Sequence, residues 1–211
     1  SSSLVGSEMC IRDRNNSWSL DKASLNNSQS QDALNPTMEE FNYKLYAVWP
    51  ESNGTVDQIR VASTDGTNWG SSTGINLSSS KDGKNPNLIT FDSKLFAAWS
   101  ETNASGHSQI RVKLSSDGST WTSVDGNDAN KGINKDYRNN ASHPKLVVAN
   151  SNLYAVWLEE NGSTQVRVAQ FDNSSSWTFK DGDGFDGLNV NTARVTGKAS
   201  AAEYNLSLIH I

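Results

Sequence analysis

The sequence predicts an all-β chain, a partial β-propeller built of four-stranded antiparallel blades, about three blades plus flanking strands. Three observations predict it. The seven tryptophans fall into two series: Trp49, Trp99 and Trp157 are spaced by 50 and 58 residues, and Trp18, Trp69, Trp121 and Trp177 by 51, 52 and 56. Three segments recur around them: KLYAVWPESNGTVDQIRVASTDGTNW (Lys44 to Trp69), KLFAAWSETNASGHSQIRVKLSSDGSTW (Lys94 to Trp121) and NLYAVWLEENGSTQVRVAQFDNSSSW (Asn152 to Trp177). Pro36, Pro86 and Pro144 each stand thirteen residues before an inner tryptophan and repeat its intervals.

Each repeat reads as four short strands. The first follows the proline, Asn87 to Phe91 in the clearest copy, because a residue without an N–H is tolerated where a strand begins. The second is Lys94 to Glu101 and the third Gln109 to Ser115, with a glycine-containing turn between them. The fourth begins at Trp121, after the turn residues Asp117 and Gly118. In the second strand Leu45, Ala47 and Trp49 alternate with Tyr46 and Val48, so both faces are apolar. Such a strand belongs in a sheet covered on both sides.

The blades are placed at approximately 35–72, 85–124 and 143–180. A fourth strand around Trp18 precedes them, and Lys198 to Asn205 aligns with Asn85 to Asp92 as the opening of another blade. Residues 1–14 and 206–211 resemble translated sequencing-adapter read-through, which leaves 15–205 as the propeller fragment. The only cysteine, Cys10, lies in the first of those ends. The body therefore has no disulfide, thiol nucleophile or cysteine metal site. Propellers close with 4–8 blades, so the remaining blades of a parent protein are expected partners. The terminal blades are expected to show apolar faces.

Composition narrows the function. Only 19% of the 211 residues are charged, and 32 Ser with 24 Asn fill the polar surface. The net charge is −5, without a basic block to follow a phosphate backbone. Nucleic acid is thus not an expected partner. No apolar run is long enough to span a bilayer. Low charge, abundant Ser and Asn, and a body without cysteine point to an extracellular or cell-surface bacterial protein.

The turn before each fourth strand carries a family resemblance. Ser63-Thr64-Asp65-Gly66-Thr67-Asn68-Trp69 and Ser115-Ser116-Asp117-Gly118-Ser119-Thr120-Trp121 resemble the Asp-box of sialidase-like propellers, one residue short between Asp and Gly. The third copy, Phe171 to Trp177, is further from the pattern. In such a turn the carboxylate accepts turn amides, glycine takes the positive φ, and tryptophan fills the space beneath. The resemblance implies a structural motif, Ser63, Asp65, Gly66, Trp69, Ser115, Asp117, Gly118 and Trp121, away from the functional face.

The candidate ligand-binding residues are Trp49, Glu51 and Arg60, with Trp99, Glu101 and Arg111, and Trp157, Glu159 and Arg167. In a hairpin the tryptophan and arginine lie opposite one another, and a guanidinium stacked on an indole beside a carboxylate suits a sugar. Some fucose-binding propeller lectins resemble this set in residue type, with different strand placement. A residue present in every blade is also explained by what every blade needs: a core tryptophan and a cross-strand ion pair. A sialidase-like arginine triad uses non-equivalent positions, whereas these three arginines are equivalent and flanked by Val or Ile.

Among unrepeated residues, Asp181, Asp183 and Asp186 lie in a glycine-rich loop with the oxygens a Ca²⁺ site would use, but without EF-hand spacing. A solvated turn is the plainer reading, and no cofactor is implied. His107 and His143 lack a sequence partner. The loop Lys131 to Asn140 is the best unrepeated ligand candidate. Asn-x-Ser/Thr triplets occur at Asn53, Asn76, Asn103, Asn140, Asn161 and Asn173. The preferred function is non-catalytic extracellular recognition, with glycans the expected ligands. The alternatives are a truncated sialidase-like glycoside hydrolase and a protein-interaction or structural propeller.

Overall fold

The computed structural model describes residues 25–28, 30–182, 184 and 187–189. The strand expected around Trp18, the one expected over 198–205, and both terminal segments lie outside these. Twelve strands form three four-stranded sheets. The first contains β1 (Thr37–Phe41), β2 (Lys44–Ser52), β3 (Asp57–Thr64) and β4 (Thr73–Gly74). The second contains β5 (Gly83–Phe91), β6 (Lys94–Thr102), β7 (Ser108–Ser115) and β8 (Thr122–Ser123). The third contains β9 (Ala141–Ala149), β10 (Asn152–Asn161), β11 (Ser163–Phe171) and β12 (Trp177–Phe179). Every sheet is an antiparallel meander, and no helix occurs among the described residues.

The first hairpin of every blade turns on two residues with positive φ: Asn42–Tyr43, Asp92–Ser93 and Asn150–Ser151. Two such residues form the turn whose twist matches the flanking strands. The second strand is buried on both faces, as its double apolar pattern predicts. Proline behaves differently from expectation in two blades. β5 and β9 begin upstream of Pro86 and Pro144, and the pairing with the second strand shifts register there. The bulge absorbs the missing N–H without ending the strand.

The blades stack face to face. Phe41, Tyr46, Val48, Ile59 and Val61 of the first meet Leu88, Leu95, Ala97 and Trp99 of the second. Phe96, Ala98, Ile110 and Val112 of the second meet Leu146, Leu153, Ala155 and Trp157 of the third. Trp99 and Trp157 thus each face the preceding blade. Of the outer tryptophans, Trp69, Trp121 and Trp177 are only half-buried, and Trp18 lies outside the described residues. Trp177 Nε1 donates across the interface to the carbonyl of Val124 at 2.9 Å. Against the expectation of a bare terminal face, Val147, Val156, Leu158, Val166 and Val168 are buried on the third blade.

First strands contact one another, β1 with β5 and β5 with β9, so they lie innermost and the fourth strands outermost. The proline ends of β1, β5 and β9 sit beside the end of β2, β6 and β10 that carries the glutamate, as the pairings Ala33 to Glu51 and Gly83 to Glu101 show. Crossovers between blades leave from that same end. The aspartate turns lie at the other.

Candidate functional site at the crossover end

The register pairs Trp49 with Arg60, Trp99 with Arg111 and Trp157 with Arg167. Two positions on, Glu51, Glu101 and Glu159 pair with Gln58, Gln109 and Gln165. Period-two alternation puts all four on the same face. The three tryptophans and three glutamates are at most 3% exposed. The expected stacking of arginine on indole is not what forms: the cation over the Trp99 ring is Lys113, 6.0 Å from its centre.

Each glutamate instead clamps the crossover arriving at its blade. Glu101 accepts the indole N–H of Trp99 at 2.8 Å and the amides of Leu77 and Ser78 at 2.9 and 2.8 Å. Glu51 does the same for Trp49, Asn27 and Ser28, and Glu159 for Trp157, Lys135 and Asp136. Three donors on a buried carboxylate offset much of its desolvation. Burial still pushes the Glu159 carboxyl upward, opposed by the Asp136 and Lys135 amides.

Where the chain leaves a blade it is held by an asparagine that sequence reading passed over. Asn76, Asn134 and Asn189 accept the amides of Ile59, Ile110 and Val166 in the blade being left, at 2.6, 2.8 and 2.9 Å. The signal was present as Gly74-Ile75-Asn76, Gly132-Ile133-Asn134 and Gly187-Leu188-Asn189. A Cβ at Gly132 or Gly187 would overlap the carbonyl oxygen of Ile110 or Val166. Glycine is required by that close approach. The unrepeated loop Lys131 to Asn140 is this crossover, with Lys135 and Asp136 in the clamp. Among the glycosylation triplets, Asn76 is so engaged and Asn103 is 1% exposed.

The arginines diverge. Arg111 is 1% exposed and donates to the carbonyls of Asp128, Ala129 and Lys131, with Asp125 at 3.6 Å. Arg167, also 1% exposed, donates to the Gly184 carbonyl, and its Nε lies 2.9 Å from Asp181. Burial raises both aspartates, and the guanidinium beside each opposes the rise. The cation embraced by Asp181 is thus an arginine of the chain. Asp183 and Asp186 of the loop considered for Ca²⁺ lie outside the described residues. Lys135, Asn139, Glu159, Asn161 and Gln165 close against Arg167 without room for a water molecule. Arg60 is half-buried and has no hydrogen-bond or ion-pair partner among the described residues; its Nε is buried.

At the opposite end, Asp117 accepts the Ser119 and Thr120 amides and the Ser115 hydroxyl, and Gly118 has φ +76°. Asp65 accepts the Thr67 amide. The register pairs Leu45 with Thr64 where it pairs Leu95 with Ser115, and the Thr64 hydroxyl takes the Gly66 amide. Thr64, not Ser63, is therefore the counterpart of Ser115. In the third blade Asp172 holds three amides and Asn173 supplies the positive φ.

The crossover end also holds an axial pocket of about 280 Å³. Asn35–Pro36, Asn85–Pro86 and His143–Pro144 converge there, with Thr37 and Lys145. Asn35, Asn85 and His143 have φ of 44°, 54° and 54°. Residues before proline normally take an extended conformation, so three blades hold the same uncommon backbone at one place. Among the described residues, none that lines it is a carboxylate.

No protein-family model and no curated protein matches this chain. Solved structures do. A glycosyl hydrolase from Bacteroides ovatus is 14% identical with a TM-score of 0.53, over 75% of this chain and 51% of that one. Zg3597, a family 117 glycoside hydrolase of the marine bacterium Zobellia galactanivorans, is 13% identical with a TM-score of 0.54, over 71% and 55%. A thermostable family-43 glycoside hydrolase is 12% identical with a TM-score of 0.50, over 70% and 50%. The chain spans about half the length of these structures. At such identities the likeness establishes the fold, an all-β partial propeller. No helix among the described residues is long and apolar enough to cross a membrane.

Proposed function

We propose that the chain is the recognition part of a carbohydrate-binding propeller, with the sugar held at the axis on the crossover end. The axial pocket is the observation that carries this reading. Strained backbone concentrated at one concave place is a mark of function, and here three blades contribute it. Side-chain amides of Asn35 and Asn85 offer donors and acceptors for hydroxyls, and His143 and Lys145 add further polar groups. The proline rings give an apolar surface for the C–H face of a sugar. Likeness to glycoside hydrolase structures supports the ligand class, and the bacterial sources of several of them support a bacterial origin. Cleavage by protein carboxylates needs a pair flanking the bond, and this pocket's lining has none, which favours binding over hydrolysis.

The test is a titration of the chain with neutral xylo-, galacto- and manno-oligosaccharides, followed by NMR of the His143 ring and the Asn35 and Asn85 side-chain amides. One sugar should shift these signals saturably, and Asn85→Ala should weaken it about tenfold. If no sugar in the panel shifts them, the axial reading is wrong. A second reading, a hydrolase whose carboxylates lie in other blades, draws on the same fold neighbours, since the chain matches only half their length. Release of reducing sugar by the full-length protein would establish it.

A further inference from the structure

We infer that the first blade carries a second, independent binding niche, around Arg60, for a compact carboxylate-bearing ligand such as a uronic acid. The two sister blades show what an arginine at this register position takes. Arg111 and Arg167 each receive one carboxylate, Asp125 or Asp181, together with carbonyls of the loop that follows it, three for Arg111 and that of Gly184 for Arg167. Both aspartates also hold the amide at the position equivalent to Val61, Asp125 that of Val112 and Asp181 that of Val168, fixing their place relative to the third strand. In the first blade Gly74 pairs directly with Arg60, and Ile75 follows it at once. Asp125 and Asp181 stand eight and seven positions before Ile133 and Leu188. Carboxylate and carbonyl loop are therefore both absent from the first blade, while the arginine is kept.

The space they would fill is open. A pocket of about 280 Å³ is lined by Asn53, Gln58, Arg60, Gly74, Asn76 and Ser79. That is close to the lower end of small-molecule sites, about 300 Å³. Its cation is a planar fork suited to bidentate carboxylate binding. Around the fork, Asn53 and Ser79 are exposed and present an amide and a hydroxyl to the ring oxygens of a sugar acid. A bound carboxylate restores what Asp125 and Asp181 supply within the other blades. This niche lies in the third strand of one blade, apart from the axial pocket, and shares no lining residue with it.

Calorimetric titration of the chain with galacturonate, galactose and acetate tests this. Galacturonate should bind, galactose should bind at least about tenfold more weakly, and Arg60→Gln should weaken galacturonate about tenfold or more. Acetate binding as tightly as galacturonate would assign the niche to free carboxylates and overturn the sugar-acid arm. A graft replacing Gly74 with the Asp125-to-Gly132 segment of the second blade supplies an internal carboxylate and carbonyls. It should abolish galacturonate binding while the thermal melt is kept or raised, so a misfolded Arg60→Gln would not leave the matter undecided. Galacturonate bound equally by the wild type, Arg60→Gln and the graft, or bound by none of them, would overturn the inference.

Discussion

The first and second blades place an arginine opposite a buried tryptophan in the same register, yet the two arginines live in different surroundings. Arg111 is sealed by Asp125 and three carbonyls of the residues that follow it. Arg60 meets Gly74, where the chain passes straight on to the crossover. The clamp beside each arginine does not differ: Glu51 and Glu101 hold the same three kinds of donor. A repeat thus keeps one part of a side-chain set for architecture and releases another by shortening a loop. The third blade sides with the second, at a slightly shorter loop.

The largest effect that would break this contrast is on stability. Arg111→Ala leaves Asp125 and three carbonyls buried without their partner, and should cost about 3–5 kcal/mol. Arg60→Ala removes a side chain without an internal partner and should cost less than about 1 kcal/mol. Urea midpoints measure both, and equal losses would mean that Arg60 is as embedded as Arg111. Next in size is the clamp. Glu101→Gln keeps the shape but turns one accepting oxygen into a donating NH2, so at least one hydrogen bond is lost and the rest lose their charge, for about 2 kcal/mol. Glu51→Gln and Glu159→Gln should match it, because the clamp is common to all blades; a divergent blade would show that the repeat is not equivalent there.

The smallest effect separates the two ends of the propeller by pH. At the turn end, amides of Ser176, Ser174 and Ser175 and the Ser174 hydroxyl hold the exposed Asp172 carboxyl down at about 2. Thr120, Ser119 and Ser115 lower Asp117 further. Their stabilisation is present above the unfolded aspartate range and is lost as pH falls through the folded values. At the crossover end, burial raises Asp125, Asp181 and Glu159. Their contribution has the opposite sign: it is greatest below the unfolded pKa and declines as pH rises through the folded one. Carboxyl-carbon NMR should find midpoints below the ordinary carboxylate range for Asp117 and Asp172, and above it for the other three.

Much of the fold was legible residue by residue. The double apolar pattern of Leu45 to Trp49 marked a strand buried on both faces, and the tryptophan intervals marked the blades. The pairing of Trp99 with Arg111 followed from hairpin geometry alone. What misled was the assumption that the arginine joins the tryptophan and the glutamate on its face. Trp99 does donate to Glu101, but the carboxylate's other partners are Leu77 and Ser78, 24 and 23 residues away, in a crossover whose path no local pattern describes. The alignment of Ser63 with Ser115 failed by one residue for a related reason: pairing with Leu45 and Leu95 decides the counterpart, not the nearest matching letter. The Gly-Ile/Leu-Asn repeat was readable, but it stands at unequal distances from the tryptophans because the loops before it differ in length.

Strand period, turn chemistry and the count of blades were determined by the sequence alone, since each is written within a few neighbouring residues and repeated. Aspartate and asparagine could take over a glycine turn in the third blade for the same local reason. Only the tertiary structure decided which arginine is enclosed and which is open, because that depends on where a loop lies after the sheet has formed. It alone brought Asn35, Asn85 and His143 to one pocket at the axis. Those residues are 50 and 58 positions apart in the chain, and only the face-to-face stacking of whole blades makes them neighbours.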